Sequence, residues 1–222
     1  MTNKNIKIAV FDVCDTIYSA NTTFYFLDSF FESNREYQRF RKFTKLYLIK
    51  VLNAIIYKIT KKDLIRLYAT RFLKGFNVDD VVSYCKEFVE SKLSKKEQKI
   101  IINKLKDYQA RGYKIILMSG SYEFIVKEVA SFYKADNYFA SELEVENGFF
   151  LGRYKKDILL SKSEILKYNY DKFEELIVVS DNKSDLELMK MANKSFAVCN
   201  RVKDCNFWNQ YDFVNQIKVF HV

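Results

Sequence analysis

Three apolar runs in this chain are each followed by oxygen-bearing side chains that could carry out chemistry. Apolar runs of this length predict buried strands. The carboxyl ends of parallel strands meet at one edge of a sheet, and open α/β sheets bind their ligands there. The side chains that we expect to converge at this edge are Asp12 and Asp15 after the first run, Ser119 after the second, and Asp181 and Asp185 after the third.

Converging carboxylates repel one another unless a cation lies between them. Oxygen ligands without a His or Cys partner suit Mg²⁺, which in turn favours a phosphate as the substrate ligand. Donors to phosphate oxygens are available from the hydroxyl of Thr16 and from Ser119-Gly120-Ser121, which we expect to form a turn at a helix start. Lys162 is a mobile positive charge that could reach the same phosphate. This pattern favours a magnesium-dependent site for a phosphorylated ligand.

The strand-like runs alternate with segments of helical periodicity. Strands are predicted at residues 6–11, 113–118, 176–179 and 195–198, and helices at 95–109, 122–133, 162–168 and 184–192. Residues 142–154 read as a β-hairpin that turns at Asn147-Gly148. Strands alternating with helices predict an α/β fold, in which a mostly parallel, Rossmann-like sheet carries helices on both faces.

Between the first two predicted strands the sequence no longer shows a strand-like pattern. Apolar residues recur at three-to-four-residue spacing from about residue 22 to residue 105, which is typical of packed helices. We therefore expect an α/β core built from residues 1–20 and 106–222, interrupted by an all-helical insertion of residues 21–105.

Composition excludes several classes of protein. Hydrophobic residues make up 49% of the chain, which is too apolar for a disordered protein, and five Gly with no Pro leave little room for flexible linkers. The four cysteines show no C-x-x-C spacing, so we interpret them as reduced thiols and expect no zinc site. His221 is the one histidine, which argues against histidine-based catalysis.

Nothing in the sequence predicts export or membrane insertion. The stretch before Asp12 is too short and polar for a signal peptide, and no run of about 18 apolar residues occurs in the chain. We therefore expect a cytoplasmic protein.

The net charge of +9 would attract anions of any kind. Much of the excess lies in the insertion, where residues 35–62 hold nine basic residues and only Glu36 as an acid. Apolar residues are interspersed with these cations. This pattern is typical either of an interfacial helix that touches membranes or of a helix that packs its apolar side on the core and exposes its lysines to water. A solvated helical face explains the cations more simply than nucleic-acid binding, and we expect no nucleic-acid partner.

Four segments, taken in order, resemble the motifs of the haloacid dehalogenase-like superfamily. The first, FDVCDTIY, resembles Asp-x-Asp-x-Thr; the second, ILMSGS, places a Ser after a strand; the third is Lys162 in SKSEIL; the fourth, VVSDNKSDLELM, resembles Asp-x-x-x-Asp. The helical insertion matches the cap of the phosphoserine-phosphatase-like branch. The likeness covers nearly the whole chain.

The resemblance implies a Mg²⁺-dependent phosphomonoester hydrolase that acts on a small-molecule or lipid-linked phosphate through an aspartyl-phosphate. Asp12 would be the nucleophile and a metal ligand. Asp181 would bind the metal directly, and Asp185 directly or through water. Ser119 would hydrogen-bond the transferring phosphoryl group, and Lys162 would neutralise its charge.

Two positions depart from the family pattern. Ser180 replaces a Gly that often precedes the fourth-motif Asp. Cys14 replaces the second Asp of the first motif, which protonates the leaving oxygen and activates water, and Asp15 follows one place later. The family's metal ligand at this position is the backbone carbonyl, so Cys14 could still serve there.

The replacement leaves several outcomes open. The protein could be a slowed hydrolase for good leaving groups, or Asp15 or a substrate group could take over the acid/base role. Alternatively, it could be a catalytically weak phosphate-binding or partner-binding protein on the same fold.

Overall fold

The computed structural model describes residues 6–170 and 172–219, and its centre is a seven-stranded sheet. The strands are β1 (Lys7–Phe11), β2 (Lys114–Tyr122), β3 (Asn137–Glu146), β4 (Phe149–Lys156), β5 (Glu175–Ser180), β6 (Lys194–Cys199) and β7 (Val214–Lys218). They lie in the order β4-β3-β2-β1-β5-β6-β7, and every neighbouring pair is parallel except β3 and β4. The predicted α/β class and mostly parallel sheet are confirmed.

Strand β1 lies at the centre because both of its faces are apolar. Side chains alternate along a strand, so Ala9 and Phe11 join the hydrophobic cluster on one face, while Ile8 and Val10 join the cluster on the other. Its neighbours β2 and β5 lie on opposite sides of it. The chain therefore changes direction across the sheet at β1, and in open α/β folds a ligand crevice forms beside such a point.

Ten α-helices are assigned in the described residues. They are α1 (Thr22–Phe30), α2 (Arg35–Lys45), α3 (Tyr47–Thr60), α4 (Leu64–Thr70), α5 (Val78–Ser91), α6 (Lys99–Ala110), α7 (Glu123–Tyr133), α8 (Lys162–Asn169), α9 (Leu186–Met191) and α10 (Val202–Trp208). None of them is long and apolar enough to cross a membrane.

The segment between β1 and β2 is helical, as the periodicity predicts. It holds α1 to α6 and two short 3₁₀ turns, and its larger aromatic side chains pack against one another. The predicted boundary at residues 105–106 lies inside α6, which packs on β1 and β2. The division of the chain into a core of residues 1–20 and 106–222 and a cap of residues 21–105 stays a prediction.

Glycine and asparagine residues in the sequence mark positions where the backbone has a positive φ. Asn147 and Gly148 both have positive φ, 50° and 83°, as a tight hairpin turn between β3 and β4 requires. Gly112, two residues after the end of α6, has φ 78°, a left-handed conformation that is common for the glycine that follows a helix. The four cysteines are free thiols. His221 lies outside the described residues.

Three details differ from the sequence prediction. The Ser119-Gly120-Ser121 segment is not a turn, because β2 continues through it to Tyr122 before α7 begins. Helix α6 begins at Lys99, after a 3₁₀ turn, and not at residue 95. The sequence reading also missed α10 and β7.

Candidate active site

A cavity of about 240 Å³ opens at the carboxyl ends of β1, β2 and β5. The sequence-predicted residues in its wall are Asp12, Cys14, Asp15, Ser119, Gly120 and Asp181. Residues from the helical insertion and its entry complete the wall: Asn21, Thr23, Asp63 and Arg66. The site thus lies between the sheet edge and the helical segment.

Asp12 ends β1 and is almost completely buried, at 4% exposure. Its backbone N–H donates to the carbonyl of Val179 on β5 at 2.9 Å, which fixes the strand end, and its Oδ1 accepts from the N–H of Val13 at 2.8 Å. Burial raises the pKa of Asp12 to about 6, and the nearby Lys162 ammonium opposes that rise. The carboxylate therefore depends on Lys162 to stay ionised at neutral pH.

Lys162 lies between two carboxylates. Its Nζ is 3.1 Å from Asp12 Oδ1 and 2.7 Å from Asp185 Oδ2, and all three side chains are buried. Burial disfavours the charged amine, but the two carboxylates outweigh it and raise the pKa of Lys162 above its ordinary value. Helix α8, which begins at Lys162, places this fixed positive charge beside Asp12.

Asp185 is held in place by two donors. Its Oδ2 accepts from Lys162 and from the hydroxyl of Ser180 at 2.6 Å, while its buried Oδ1 has no partner in the described residues. The hydroxyl of Ser180 therefore helps to position Asp185. Its hydroxyl also accepts from the N–H of Asn182 at 3.0 Å.

Asp181 is oriented by Thr16. The Thr16 hydroxyl donates to Asp181 Oδ1 at 3.0 Å and accepts from the Asp181 N–H at 2.9 Å. Burial, followed by the charges of Asp12 and Asp15, raises the pKa of Asp181 well above its ordinary value. Thr16, predicted as a contact to substrate, is buried and holds Asp181 instead of lining the cavity wall.

Cys14 lies on the cavity wall among hydroxyl groups. Its Sγ is 2.9 Å from Thr22 Oγ1 and accepts from the Ser119 hydroxyl at 3.7 Å. Because Thr22 donates its own proton to Ser121 Oγ, the thiol is the donor to Thr22. Burial, followed by the charge of Asp12, raises the pKa of Cys14 to about 11, so that the thiol is protonated at neutral pH.

Gly120 lies where two side chains approach β2 closely. A Cβ at this position would lie 2.8 Å from Leu159 Cδ1 and 3.0 Å from Arg66 Nη1, so any other residue would require these side chains to shift. On either side of it, Ser119 lines the cavity and Ser121 accepts from Thr22. The segment keeps both serines at the site although it is a strand and not the predicted turn.

Arg66 is a charged residue at the site that was not predicted from the sequence. It comes from α4, is 6% exposed, donates from Nη1 to the carbonyl of Gly120 at 2.9 Å, and pairs through Nη2 with Asp157. Its guanidinium also lies over the ring of Tyr154, 4.7 Å from the centroid, and its buried Nε has no partner in the described residues. The helical segment thus contributes a fixed positive charge to the cavity wall.

The residues at the strand ends fit a magnesium ion. Within residues 6–170 and 172–219 no three carboxylate, thiol or imidazole side chains form a ready metal cluster. Mg²⁺ commonly binds to one or two carboxylates and keeps several waters, so a complete protein cage is not needed. The oxygen donors, the raised pKa of Asp181 beside other carboxylates and the unpartnered Asp185 Oδ1 are the features of a site that a cation would stabilise.

Part of the chain is similar in sequence to known proteins. A curated phosphoserine phosphatase from Lactococcus lactis is 32% identical over 99 residues, which cover 40% of this chain and 44% of that protein. The chain thus matches less than half the length of this relative.

Solved structures share the fold over almost the whole chain. A Bordetella pertussis protein of unknown function has a TM-score of 0.75 at 13% identity, covering 96% of this chain and 99% of its own. A substrate-bound phosphoserine phosphatase has a TM-score of 0.64 at 19% identity, covering 96% and 93%. The family model described as haloacid dehalogenase-like hydrolase matches residues 9–190. The chain therefore belongs to the haloacid dehalogenase-like hydrolase family.

Proposed function

We propose that this protein is a Mg²⁺-dependent phosphomonoester hydrolase that acts through an aspartyl-phosphate on Asp12. The observation that carries the proposal is the buried Asp12–Lys162–Asp185 cluster, in which one ammonium lies within 3.1 Å of both carboxylates. Of the three, Asp12 lines the cavity, and Lys162 and Asp185 lie behind it. A carboxylate kept ionised by a fixed cation is suited to attack an electrophilic phosphorus.

We assign the metal to Asp12, Asp181 and the backbone carbonyl of Cys14. A bound Mg²⁺ would polarise the phosphoryl oxygens and offset the charge of the carboxylates around it. Thr16 orients Asp181 for this role through its two hydrogen bonds. Asp185, whose Oδ2 is occupied by Lys162 and Ser180, would act through its remaining oxygen.

The reaction would proceed in two displacements at phosphorus. In the first, an Asp12 carboxylate oxygen bonds to phosphorus, the ester P–O bond breaks, and the leaving oxygen takes up a proton. In the second, water loses a proton and attacks the same phosphorus, the bond to Asp12 breaks, and orthophosphate leaves. Ser119 and Lys162 donate to the phosphoryl oxygens in both steps.

Cys14 limits this cycle. A protonated thiol can give a proton to a leaving oxygen, but with a pKa of about 11 it is a weak acid, and few molecules hold the thiolate that could accept a proton from water at neutral pH. We therefore expect a slow hydrolase that favours substrates with good leaving groups.

The substrate is a small-molecule or lipid-linked phosphomonoester. A cavity of about 240 Å³ has room for a phosphate and a short group next to it, and Arg66 and Asp63 are on its wall. Phosphoserine, the substrate class in the names of the curated relatives, is the first compound to test. A lipid-linked phosphate would keep its chain outside the cavity. A cytoplasmic location stays a prediction.

A second candidate is a catalytically weak protein that binds a phosphorylated ligand. The observation that favours it is the protonated Cys14 thiol in the position of the acid/base carboxylate. Phosphate or a phosphate analogue would then bind with no measurable turnover of any substrate.

Turnover of p-nitrophenyl phosphate with and without Mg²⁺, followed by a screen of phosphorylated metabolites, tests the proposal. We expect Mg²⁺-dependent release of nitrophenol that is lost in Asp12→Asn. An Asp12→Asn protein as active as wild type would show that the nucleophile is assigned wrongly. Binding of phosphate without turnover would favour the second candidate.

A further inference from the structure

Helix α3 turns an apolar face to solvent. None of its 14 residues is buried, although they include five Ile or Val and two Leu. Tyr47, Leu48 and Ile59 are 76–78% exposed. Most amphipathic helices of a globular protein direct the apolar stripe into the core, so the orientation of α3 is the reverse of the usual one.

Helical geometry separates the two sides of α3. At about 100° per residue, the exposed apolar side chains lie within an arc of roughly 140°, while Asn53 and Tyr57 lie on the opposite side. The exposed apolar side chains of α3 are Tyr47, Leu48, Val51, Leu52, Ile55 and Ile59.

The inner side of α3 is fixed to the cavity wall. Asn53 Nδ2 donates to Asp63 Oδ1 at 3.0 Å, and Asn53 Oδ1 accepts from the N–H of Ile65 at 3.2 Å. Asp63 lines the catalytic cavity together with Arg66. The outward direction of the stripe is therefore set by polar contacts on its other side and is not the result of a loose helix.

A separate apolar groove lies between α3 and the helices beside it. A second cavity, of about 550 Å³, lies between α2, α3 and α4 and is lined chiefly by apolar side chains. These include Phe40, Phe43, Ile49, Leu64, Tyr68 and Phe72. Phe43, Leu64 and Tyr68 are themselves 44–54% exposed. We call the α3 stripe together with this groove the cap face.

Residues 35–62, which include α3, hold many exposed cations. The exposed basic side chains of the segment are Arg35, Arg39, Lys42, Lys45, Lys50, Lys58, Lys61 and Lys62. The other basic residue of the segment, Arg41, is paired with Asp28. Between residues 35 and 62 the one acid is Glu36. A partner for this face must therefore be both apolar and anionic.

Two other kinds of partner fit less well. A second copy of this chain would bring the same cations together, because a two-fold interface joins one patch to itself, and only Glu36 could oppose them. Nucleic acid would satisfy the cations but would leave aliphatic side chains such as Leu48 and Val51 without an apolar partner.

We propose that the cap face docks on the surface of an anionic lipid bilayer. The α3 stripe would enter the boundary between headgroups and acyl chains, with lysines and arginines at the level of the anionic headgroups, as in other amphipathic interfacial helices. The Asn53–Asp63 contact places the catalytic cavity directly behind the docked helix. The docking does not depend on the proposed hydrolysis, and an Asp12→Asn protein is expected to dock as wild type does.

Vesicle cosedimentation of the purified full chain tests the proposal. The probes are phosphatidylcholine vesicles and vesicles of equal parts phosphatidylcholine and phosphatidylglycerol. We expect binding to the anionic vesicles that weakens as salt is raised, and much weaker binding to phosphatidylcholine alone. Equal binding to both, or to neither at low salt, would overturn the proposal.

Two variants separate the apolar and electrostatic contributions. Leu48→Glu/Leu52→Glu removes two exposed side chains from the stripe and should weaken vesicle binding by roughly 100-fold. Lys45→Glu/Lys50→Glu reverses two charges and should weaken it by roughly 30-fold or more. Thermal unfolding checks that each variant is folded, and exposed positions are expected to tolerate the changes.

Matched controls lie elsewhere on the surface. Tyr168→Glu/Val202→Glu replaces two apolar residues that are 90% and 67% exposed, and it is the control for Leu48→Glu/Leu52→Glu. Lys99→Glu/Lys127→Glu changes the net charge by the same amount as Lys45→Glu/Lys50→Glu, at two other exposed positions. Both control proteins should bind as wild type does. A loss of binding as large as that of the cap-face variants would show that binding follows net charge and not this surface.

The same preparations distinguish the other partners. A dimer in sedimentation velocity that is lost in Leu48→Glu/Leu52→Glu, without vesicle binding by wild type, would assign the cap face to self-association. Oligonucleotide binding without vesicle binding would assign it to nucleic acid. Either result would overturn the lipid proposal.

Discussion

Replacement of Cys14 by Asp is expected to raise turnover, and to do so unequally for different leaving groups. In the structure the thiol donates to Thr22 Oγ1 at 2.9 Å and accepts from Ser119 at 3.7 Å, so its single proton is engaged and its sulfur faces the cavity. A carboxyl group at this position could reach both the leaving oxygen and the attacking water.

The size of the effect follows from the fraction of molecules in which the side chain at position 14 is deprotonated and can act as a base. With a pKa of about 11, the Cys14 thiolate makes up about 10⁻⁴ of the population at pH 7. A carboxylate at this position would be available as a base in most molecules. The gain in the water-attack step could therefore approach about 10⁴, the upper end of the range for acid–base catalysis, or roughly 5 kcal/mol of barrier.

The assay compares two substrates. An alkyl phosphate needs a proton on its leaving oxygen and a base for water, whereas p-nitrophenyl phosphate needs only the base. We expect Cys14→Asp to raise kcat for the alkyl phosphate much more than for p-nitrophenyl phosphate. Cys14→Ser, which supplies no carboxyl group, is the matched control and should gain nothing.

Unchanged rates in Cys14→Asp, together with abolished rates in Asp15→Ala, would refute this reasoning and identify Asp15 as the acid. The protonation state can be checked separately by alkylation of the metal-free protein with iodoacetamide, read by peptide mass spectrometry. Because burial and Asp12 raise the pKa of Cys14, its thiolate should form only as pH rises towards 11, and alkylation near pH 8 should be roughly 100-fold slower than for a thiol of pKa 9. A midpoint near 9 would contradict the argument.

Three further predictions concern the groups around Asp12. Lys162→Ala leaves two buried carboxylates without their cation and should lower the free energy of unfolding by roughly 3–5 kcal/mol in urea titrations. The control Lys167→Ala, at an exposed position on the same helix, should change it by less than about 0.5 kcal/mol. Equal effects of the two substitutions would contradict the proposed role of Lys162. Asp181→Ala should abolish Mg²⁺ binding measured by calorimetry, and unchanged affinity would count against Asp181 as a ligand. Thr16→Val removes both hydrogen bonds to Asp181 and should weaken Mg²⁺ binding by roughly 10–100-fold. Thr16→Ser keeps the hydroxyl and should bind Mg²⁺ as wild type does. If Thr16→Ser bound as weakly as Thr16→Val, the loss would be due to altered packing and not to the lost hydrogen bonds.

The sheet and the converging strand ends could be predicted because the relevant signals are local. A run such as Ile8 to Phe11 is apolar at every position, as a strand buried on both faces requires, and it ends on the buried carboxylate of Asp12. Parallel pairing then brings Asp12 and Asp181 to the same edge without further information.

The elements that the sequence did not reveal are those shaped by tertiary contacts. β7 is a five-residue edge strand with Asn215 and Gln216 at its centre, so it has no apolar run to mark it. The glycine between Ser119 and Ser121 suggested a turn, but Gly120 lies within β2, where the side chains of Leu159 and Arg66 approach the strand closely.

Arg66 was missed for a related reason. It lies in a helix of mixed composition, and its importance depends on the approach of α4 to β2, which no pattern in the chain reports. The available signal was weak: Arg66, Ala69 and Thr70 form the buried side of α4, where a lone Arg among small residues marks a buried charge that needs partners.

Chemical trapping of the intermediate tests the central claim most directly. Wild-type protein is mixed with Mg²⁺ and p-nitrophenyl phosphate, quenched in acid, and reduced with borohydride, which converts an aspartyl-phosphate to homoserine. Because Cys14 slows attack by water, the intermediate should accumulate, and peptide mass spectrometry should find homoserine at position 12 only when both Mg²⁺ and substrate are present. Turnover of the substrate with Asp12 unmodified, or homoserine at Asp15 instead, would contradict the account.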